Sequence, residues 1–226
     1  MINNTIIKQL TTTKFLGVEI NTEAGWKEHI SIINQKISRA IEVIRCVRTK
    51  LSIKTCMLLY NSVILSQLTY CNMIWASTYK TTLLKTYSLQ KRALKLWFGR
   101  KFQNTRNNYQ TVERNSLSIF KQANRLSVFD LNKWQIAKFV YQALNKISPS
   151  CFHQMFSFTS SAHSHNTRSD AAHNLFIQQA KYNLRKFSIS VRGPEIWNEL
   201  PITCRLVSSI DTFYSKIKQY FITASS

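Results

Sequence analysis

WKEHISIINQKISRAIEVIRCVRTKLSIKTCMLLYNSVILSQLTYCNMIWASTYKTTLLKTYSLQKRALKLWF, residues Trp26 to Phe98, is the stretch whose reading decides the fold. Between Gly25 and Gly99 it holds neither Gly nor Pro, so three consecutive helices are expected without a kink or a left-handed residue. Ile30, Ile33, Ile37, Ile41 and Ile44 recur at steps of three and four, the helical period, and Lys36 and Arg39 fall off that stripe. Leu83, Tyr87, Leu94 and Trp97 repeat the spacing, with Lys85 and Arg92 on the opposite side. Thr55 to Tyr79 carries no charge and reads as a helix buried between two basic neighbours.

The flanks follow from local chemistry. Ile2 to Leu10 and Lys14 to Ile20 read as two strands, with Thr11-Thr12-Thr13 as the turn. A lone hairpin is marginal in water, so it must join a larger sheet or lie on the helices. The first helix is expected to reach about Lys50, Ser52 to cap the second, and Gly99 to end the third as its C′ residue. Arg100 to Ser116 is polar and basic and reads as a linker. Leu117 to Ile147 reads as a helical segment with Phe129, Trp134, Phe139, Val140 and Leu144 as core side chains. Ser157 to Asn174 reads as a loop and Phe187 to Val191 as a strand. Arg192-Gly193-Pro194 reads as a turn, with Pro194 opening a short helix through Trp197. A last helix follows Ser209, with Ile210, Phe213, Ile217 and Tyr220 on its apolar face. The fold class is mainly α: a hairpin over 1–25, a three-helix bundle over 26–99, a linker over 100–116, and a second, mostly helical domain over 117–226 with a short strand pair.

Charge narrows the function. Thirty-one Lys and Arg stand against ten Asp and Glu, a formal net charge of +21. Residues 1–100 carry 15 basic and 4 acidic side chains, 101–150 carry 8 and 2, and 151–226 carry 8 and 4, so no basic tail accounts for the excess. It implies an anionic partner, a nucleic acid or an anionic membrane surface. Thr55 to Tyr79 is long enough to be weighed as a membrane span, but Asn61, Gln67 and Asn72 and six hydroxyls argue for a buried helix in a water-soluble protein. Five cysteines, none within five residues of another, form no disulfide framework or metal pair, and Met1-Ile-Asn-Asn-Thr opens no secretory signal. The cytoplasm or nucleus is the expected compartment.

Catalytic options are few. Asp130, Asp170 and Asp211 are the three aspartates and are far apart, so no Asp-Asp or Asp-x-Asp pair can hold divalent metal for phosphoryl transfer. Four glycines leave no phosphate loop and no nucleophile elbow. Cys151, His153, His163, His165 and His173 lack the tight pairs of a zinc knuckle, and nothing orients a Cys151–His dyad. No enzyme activity, cofactor or small-molecule substrate is expected of the chain. The positive signal is Lys85, Lys91, Arg92, Lys95, Trp97, Arg100 and Lys101, gathered at one helix end, where cations can displace counterions from phosphates. Helical spacing makes Trp97 and Phe98 core residues rather than stacking platforms.

Several phrases, in order, resemble the C-terminal part of reverse transcriptases of non-LTR (LINE-type) retrotransposons, in the jockey-like and related groups. Thr13-Lys14-Phe15-Leu16-Gly17-Val18-Glu19-Ile20 followed by Trp26-Lys27-Glu28-His29-Ile30 is similar to the end of the palm running into the thumb. Leu59 to Cys71 with Ile74-Trp75 resembles the central thumb helix, although the family often carries Pro where Ser66 stands. Leu89-Gln90-Lys91-Arg92-Ala93-Leu94 resembles the next thumb helix. His165-Asn166-Thr167-Arg168 and Ser190 to Pro201 resemble the C-terminal region. The family's aromatic-x-Asp-Asp signature lies upstream of the matched region, so no catalytic residue carries over, and Mg²⁺ is expected only in a full-length parent enzyme. What the resemblance implies is a non-catalytic fragment of an RNA-directed DNA polymerase: a residual palm-like hairpin, a thumb and a C-terminal domain. Its thumb helices would lie along a duplex, with RNA, RNA/DNA or DNA duplexes as partners. Candidate contacts are Lys36, Arg39, Lys85, Lys91, Arg92, Lys95, Arg100, Lys101, Arg168 and Arg192. A stand-alone RNA- or DNA-binding module and a membrane-associated basic helical protein remain as alternatives.

Overall fold

The computed structural model describes residues 10–22, 25–103, 116–162 and 173–224, and of residues 97–103, 116–118, 161, 162 and 183 the backbone alone. The hairpin is there, but its turn is not at Thr11-Thr12-Thr13. Thr12–Phe15 (β1) pairs antiparallel with Val18–Asn21 (β2), Phe15 opposite Val18 and Thr12 opposite Asn21. Leu16 and Gly17 make the two-residue turn with φ of 46° and 79°, the positive-φ pair that matches strand twist. The expected second strand is therefore folded back on itself, and Ile2 to Gln9 lie outside the described residues. The hairpin lies on the helices: Tyr70 donates its hydroxyl hydrogen to the Leu16 carbonyl (2.6 Å), and the Glu19 amide donates to His29 Nδ1 (3.3 Å).

Lys27–Val47 (α1) buries the isoleucine stripe as its spacing demands, Ile37 completely. The next segment departs from expectation. Ile53–Leu59 (α2), capped by Ser52, passes into a π-helical turn, Tyr60–Leu65, and then into Ser66–Thr69 (α3). The buried positions Cys56, Tyr60, Ile64 and Leu68 are four apart. In an α-helix such a row drifts by about 40° per step. The wider π turn takes up that drift and keeps the row facing inward. The segment is not buried all round: Leu58, Val63, Tyr70 and Ile74 are exposed, beside Ser62 and Ser66, whose hydroxyls bond back to their own helix carbonyls.

Cys71 adopts φ 48°, so the stretch does contain a left-handed residue, and the chain restarts as Asn72–Trp75 (α4). Side chains satisfy the carbonyls stranded by this break. Asn72 Nδ2 donates to Leu68 O, Trp75 Nε1 to Tyr70 O, Gln135 Nε2 to Thr69 O and Asn132 Nδ2 to Asn72 O. Lys80–Gln103 (α5) runs on through Gly99 rather than ending there, and takes in the first residues of the expected linker.

The helix expected over 117–147 is two helices, Ser116–Ala123 (α6) and Val128–Leu144 (α7), separated by Asn124 at φ 51° and capped anew by Ser127. Val128, Leu131, Ile136, Ala137, Val140 and Tyr141 are the buried face of α7, while Phe129, Trp134, Phe139 and Leu144 pack at its margin. Thr159–Ala162 (α8) puts one helical turn inside the expected loop. Phe187 to Val191 is not a strand: it lies across the end of Asn183–Lys186 (α9) and the start of Ile189–Glu199 (α10). Strand-like pairing in this half, among the described residues, is the single antiparallel bridge of Phe158 with Leu175. Arg192-Gly193-Pro194 is helical, with the Val191 and Arg192 amides already bonded to the Ser188 carbonyl. Pro194 thus stands inside α10 rather than at its start. Ile202–Arg205 (α11) and Ile210–Ala224 (α12) complete the chain. Buried side chains from α1 through α12 form one contiguous cluster, with α7 touching α4, α5, α10 and α12.

Gly193 is the point of closest approach between α10 and α7. A Cβ there would lie 2.8 Å from Phe156 Cε1 and 3.0 Å from Val140 Cγ2, both core atoms with little room to yield. Gly193→Ala is expected to destabilise the protein by about 1–3 kcal/mol. Urea unfolding followed by circular dichroism measures it, and an unchanged midpoint would contradict the close approach.

Candidate nucleic-acid interface

Helices α1 and α5 lie side by side and run in the same direction. Asn34 Oδ1 accepts from Thr86 Oγ1 at 2.8 Å, and eight residues further along α1, Glu42 meets Arg92 at 3.6 Å. The parallel arrangement is possible because α2 to α4 return the chain to its starting end. It places the first turns of both helices together, where the partial positive ends of their dipoles add. Between those ends lies an open cleft of about 380 Å³, lined by Lys27, Ser31, Asn34, Thr81, Thr82 and Lys85 over the side of Ile30.

The expected contact residues fall in separate places. Lys85 borders the cleft. Arg92 is on the same face two turns on, and Glu42 holds both it and Arg45 (2.9 Å) in an exposed ion-pair triad. Lys91 and Lys95 are on the other flank of α5. Lys91 is half-buried, and its ammonium is pushed down by burial and then by the neighbouring Lys95. Lys36 and Arg39 are exposed on α1. Lys36 stands two turns from His29, on the hairpin side, away from α5. Arg192 is half-buried in α10, with its Nε buried and unpartnered and without an ion pair to Glu195. Arg168 and the side chains of Trp97, Phe98, Arg100 and Lys101 lie outside the described residues. Trp197 is buried, donates Nε1–H to the His173 carbonyl (3.3 Å) and packs beside Phe213.

Other cations emerge only in three dimensions. Lys138 Nζ lies 4.3 Å from the Trp134 ring centre and 4.1 Å from that of Tyr214, and burial pushes its ammonium down. Lys218 on α12 is pushed down by burial and by Arg125, which lies at the junction of α6 and α7. The Lys138 contacts join residues distant in sequence, and no local pattern announces them. Lys27 and Thr81 open their helices, but only the parallel packing makes them neighbours.

Among the described residues, no group of three or more His, Cys, Asp or Glu could hold a metal ion, and no helix is long and apolar enough to cross a membrane. Cys151 is exposed, and His153 Nε2 pairs with the Ser148 carbonyl at 2.6 Å. His163 and His165 lie outside the described residues. Compared with family models, curated proteins and solved structures, the chain matches none.

His29 ties the basic face of α1 to the hairpin. Its Nδ1 accepts the Glu19 amide and its ring edges against Trp75. Burial lowers its pKa below 6.5, Lys36 lowers it further, and Glu19 opposes them. The folded state thus prefers the neutral ring, and the unfolded chain binds the extra proton between the two pKa values. Stability from this group is complete above about pH 6.5 and declines as the pH falls below it, levelling off once the folded ring protonates. The melting temperature should drop between pH 7 and pH 5, and His29→Gln should reduce that drop. An equal drop in the variant would exclude His29 as the cause.

Proposed function

We propose that this chain is a non-catalytic nucleic-acid-binding body of the kind that forms the thumb and C-terminal region of non-LTR retrotransposon reverse transcriptases. It lays basic helical faces along RNA, RNA/DNA or DNA duplexes. The observation that carries this is the imbalance of charge on a folded surface. The chain is at +21, and the described residues contain three ion pairs, all between partly or fully exposed side chains. Cations left without carboxylates on exposed helix faces are available to phosphates, and counterion release supplies the affinity. The ordered sequence resemblance supports the assignment to this family, and the absence of an Asp-Asp pair supports a role without polymerase chemistry.

A second reading, a self-sufficient binding module, is favoured by the way the hairpin is fastened. Glu19 to His29, Asn21 to Glu28 (2.9 Å) and Leu16 to Tyr70 hold it on α1 and at the end of α3 without any further strand among the described residues.

Binding to a labelled RNA duplex should weaken steeply with salt. Replacing Lys91, Arg92 and Lys95 together with Ala should lower affinity and flatten the log–log salt slope by about two to three, near 0.9 for each phosphate no longer neutralised. A slope near zero in the unmodified protein would refute the electrostatic basis. In a primer-extension assay with Mg²⁺ or Mn²⁺ the chain should incorporate no nucleotide above background, and template-dependent extension would refute the non-catalytic assignment.

A further inference from the structure

We propose that the cleft between the first turns of α1 and α5 is a phosphate-binding site, taking a single phosphate group of a nucleic-acid strand that crosses it. This rests on the nucleic-acid reading for its physiological ligand but not for its chemistry. Every polar group at the cleft is a donor or can act as one. Among the described residues, Lys27 and Lys85 form no ion pair, and no acidic side chain lines the cleft. Glu28, in the first turn of α1, is engaged by Asn21 Nδ2 and does not line it. The hydroxyls of Ser31, Thr81 and Thr82 make no side-chain hydrogen bond to the described residues and are free to donate.

Asn34 supplies the independent sign that a ligand belongs here. Its side chain is 95% buried, at 5% relative exposure, yet only half of its amide is used. Oδ1 accepts from Thr86, while Nδ2 has no partner among the described residues and belongs to the cleft lining. A donor kept so deep and left unsatisfied is costly unless something accepts from it. Because the two helices are parallel, their N-terminal backbone amides and dipoles point toward the same end. Two ammonium groups, three hydroxyls, one amide and two helix ends make a donor set suited to a tetrahedral oxyanion. The cleft is open and small, so it fits a phosphate on a passing strand rather than an enclosed base.

The test uses the full chain. Inorganic phosphate is titrated against chloride at matched ionic strength while amide signals of Ser31, Asn34, Thr81 and Thr82 are followed by NMR. The same titration is then made with a 12-nucleotide RNA. Both ligands should move these signals, and Lys27→Gln/Lys85→Gln should abolish the phosphate shifts. That variant should also lower RNA affinity at least tenfold and flatten the salt slope by about two. The charge-matched control Lys54→Gln/Lys146→Gln, at exposed positions away from the cleft, should lose less than about threefold, since nonspecific charge contributes to all binding. Asn34→Asp, which keeps the acceptor for Thr86 and brings in a negative charge, should also abolish the phosphate shifts. The lysine pair decides the matter if that variant does not fold. Shifts with RNA alone place the site on the strand backbone. Shifts with phosphate alone, and no RNA binding, keep the site and refute the nucleic-acid reading. Absence of both shifts, or equal losses in the lysine pair and its control, overturns the proposal.

Discussion

The carboxamide of Gln90 is the contact on which the arrangement of helices depends. It is fully buried in the middle of α5. Nε2 donates to the Tyr60 hydroxyl at 3.0 Å and to the Leu126 carbonyl at 2.9 Å, and Oε1 accepts from the Val128 amide at 2.9 Å. One side chain therefore fixes the π turn, the exit from α6 and the first amide of α7 relative to α5. Both of its donors are used, and a network satisfied in this way specifies one geometry. Removing it would leave three buried polar groups, each worth about 1–3 kcal/mol when unpaired. Tyr60 is held so far from water that burial raises its hydroxyl pKa to about 12, against the hydrogen bond from Gln90 and the charge of Arg125.

The break at Tyr70 and Cys71 poses the same problem at the other end of α7. Four carbonyls lose their helical partners, and two of their new donors, Asn132 and Gln135, come from α7 itself. Helix α7 is thus fastened to α5 through Gln90 and to α4 and the end of α3 through amide side chains. Apolar packing supplies the bulk of the stability, but it is nearly indifferent to small slides and rotations. The buried amides set register. With α2 to α4 and α7 fixed, α1 and α5 have one way to lie together, and that way is parallel.

The sequence shows those parts of the fold that repeat. The isoleucines of α1 and the 83–94 spacing of α5 are periodic over many turns, so both helices are legible. The turn at Leu16-Gly17 is not, because a leucine gives no sign that it will take a positive φ; the threonines beside it look like better turn formers. The π turn is hidden for a similar reason: apolar residues four apart read as an ordinary helix. Cys71 breaks the next helix without Gly or Pro, on the strength of donors about 60 residues away. Ile189 and Val191 suggest a strand, yet the Ser188 carbonyl starts a helix there. The candidate site was legible as charge and not as place. Which lysines face outward follows from period, but that Lys27 and Lys85 share a cleft follows from parallel packing, which no local pattern encodes.

The outward cations fit a polyanion in spacing as well as in number. Lys85 and Arg92, seven residues apart, are separated by about 10.5 Å along α5 at 1.5 Å per residue. Successive phosphates of one strand of a duplex rise about 3.4 Å along its axis, so the two cations are three phosphates apart if the helix follows the duplex axis. Arg92 is shared with Glu42 in the free protein, and this does not withdraw it from use. The pair is exposed on both sides, and such a pair is worth about 1 kcal/mol or less. A phosphate, which also releases counterions, displaces the carboxylate at little expense. Glu42 then acts as a placeholder that keeps the guanidinium directed along the groove between α1 and α5. The exposed stripe of Leu58, Val63, Tyr70 and Ile74 offers a polyanion no such purchase. The attraction is therefore confined to other faces, and a duplex held electrostatically is steered toward the α5 face rather than the turn-rich surface of α2 to α4.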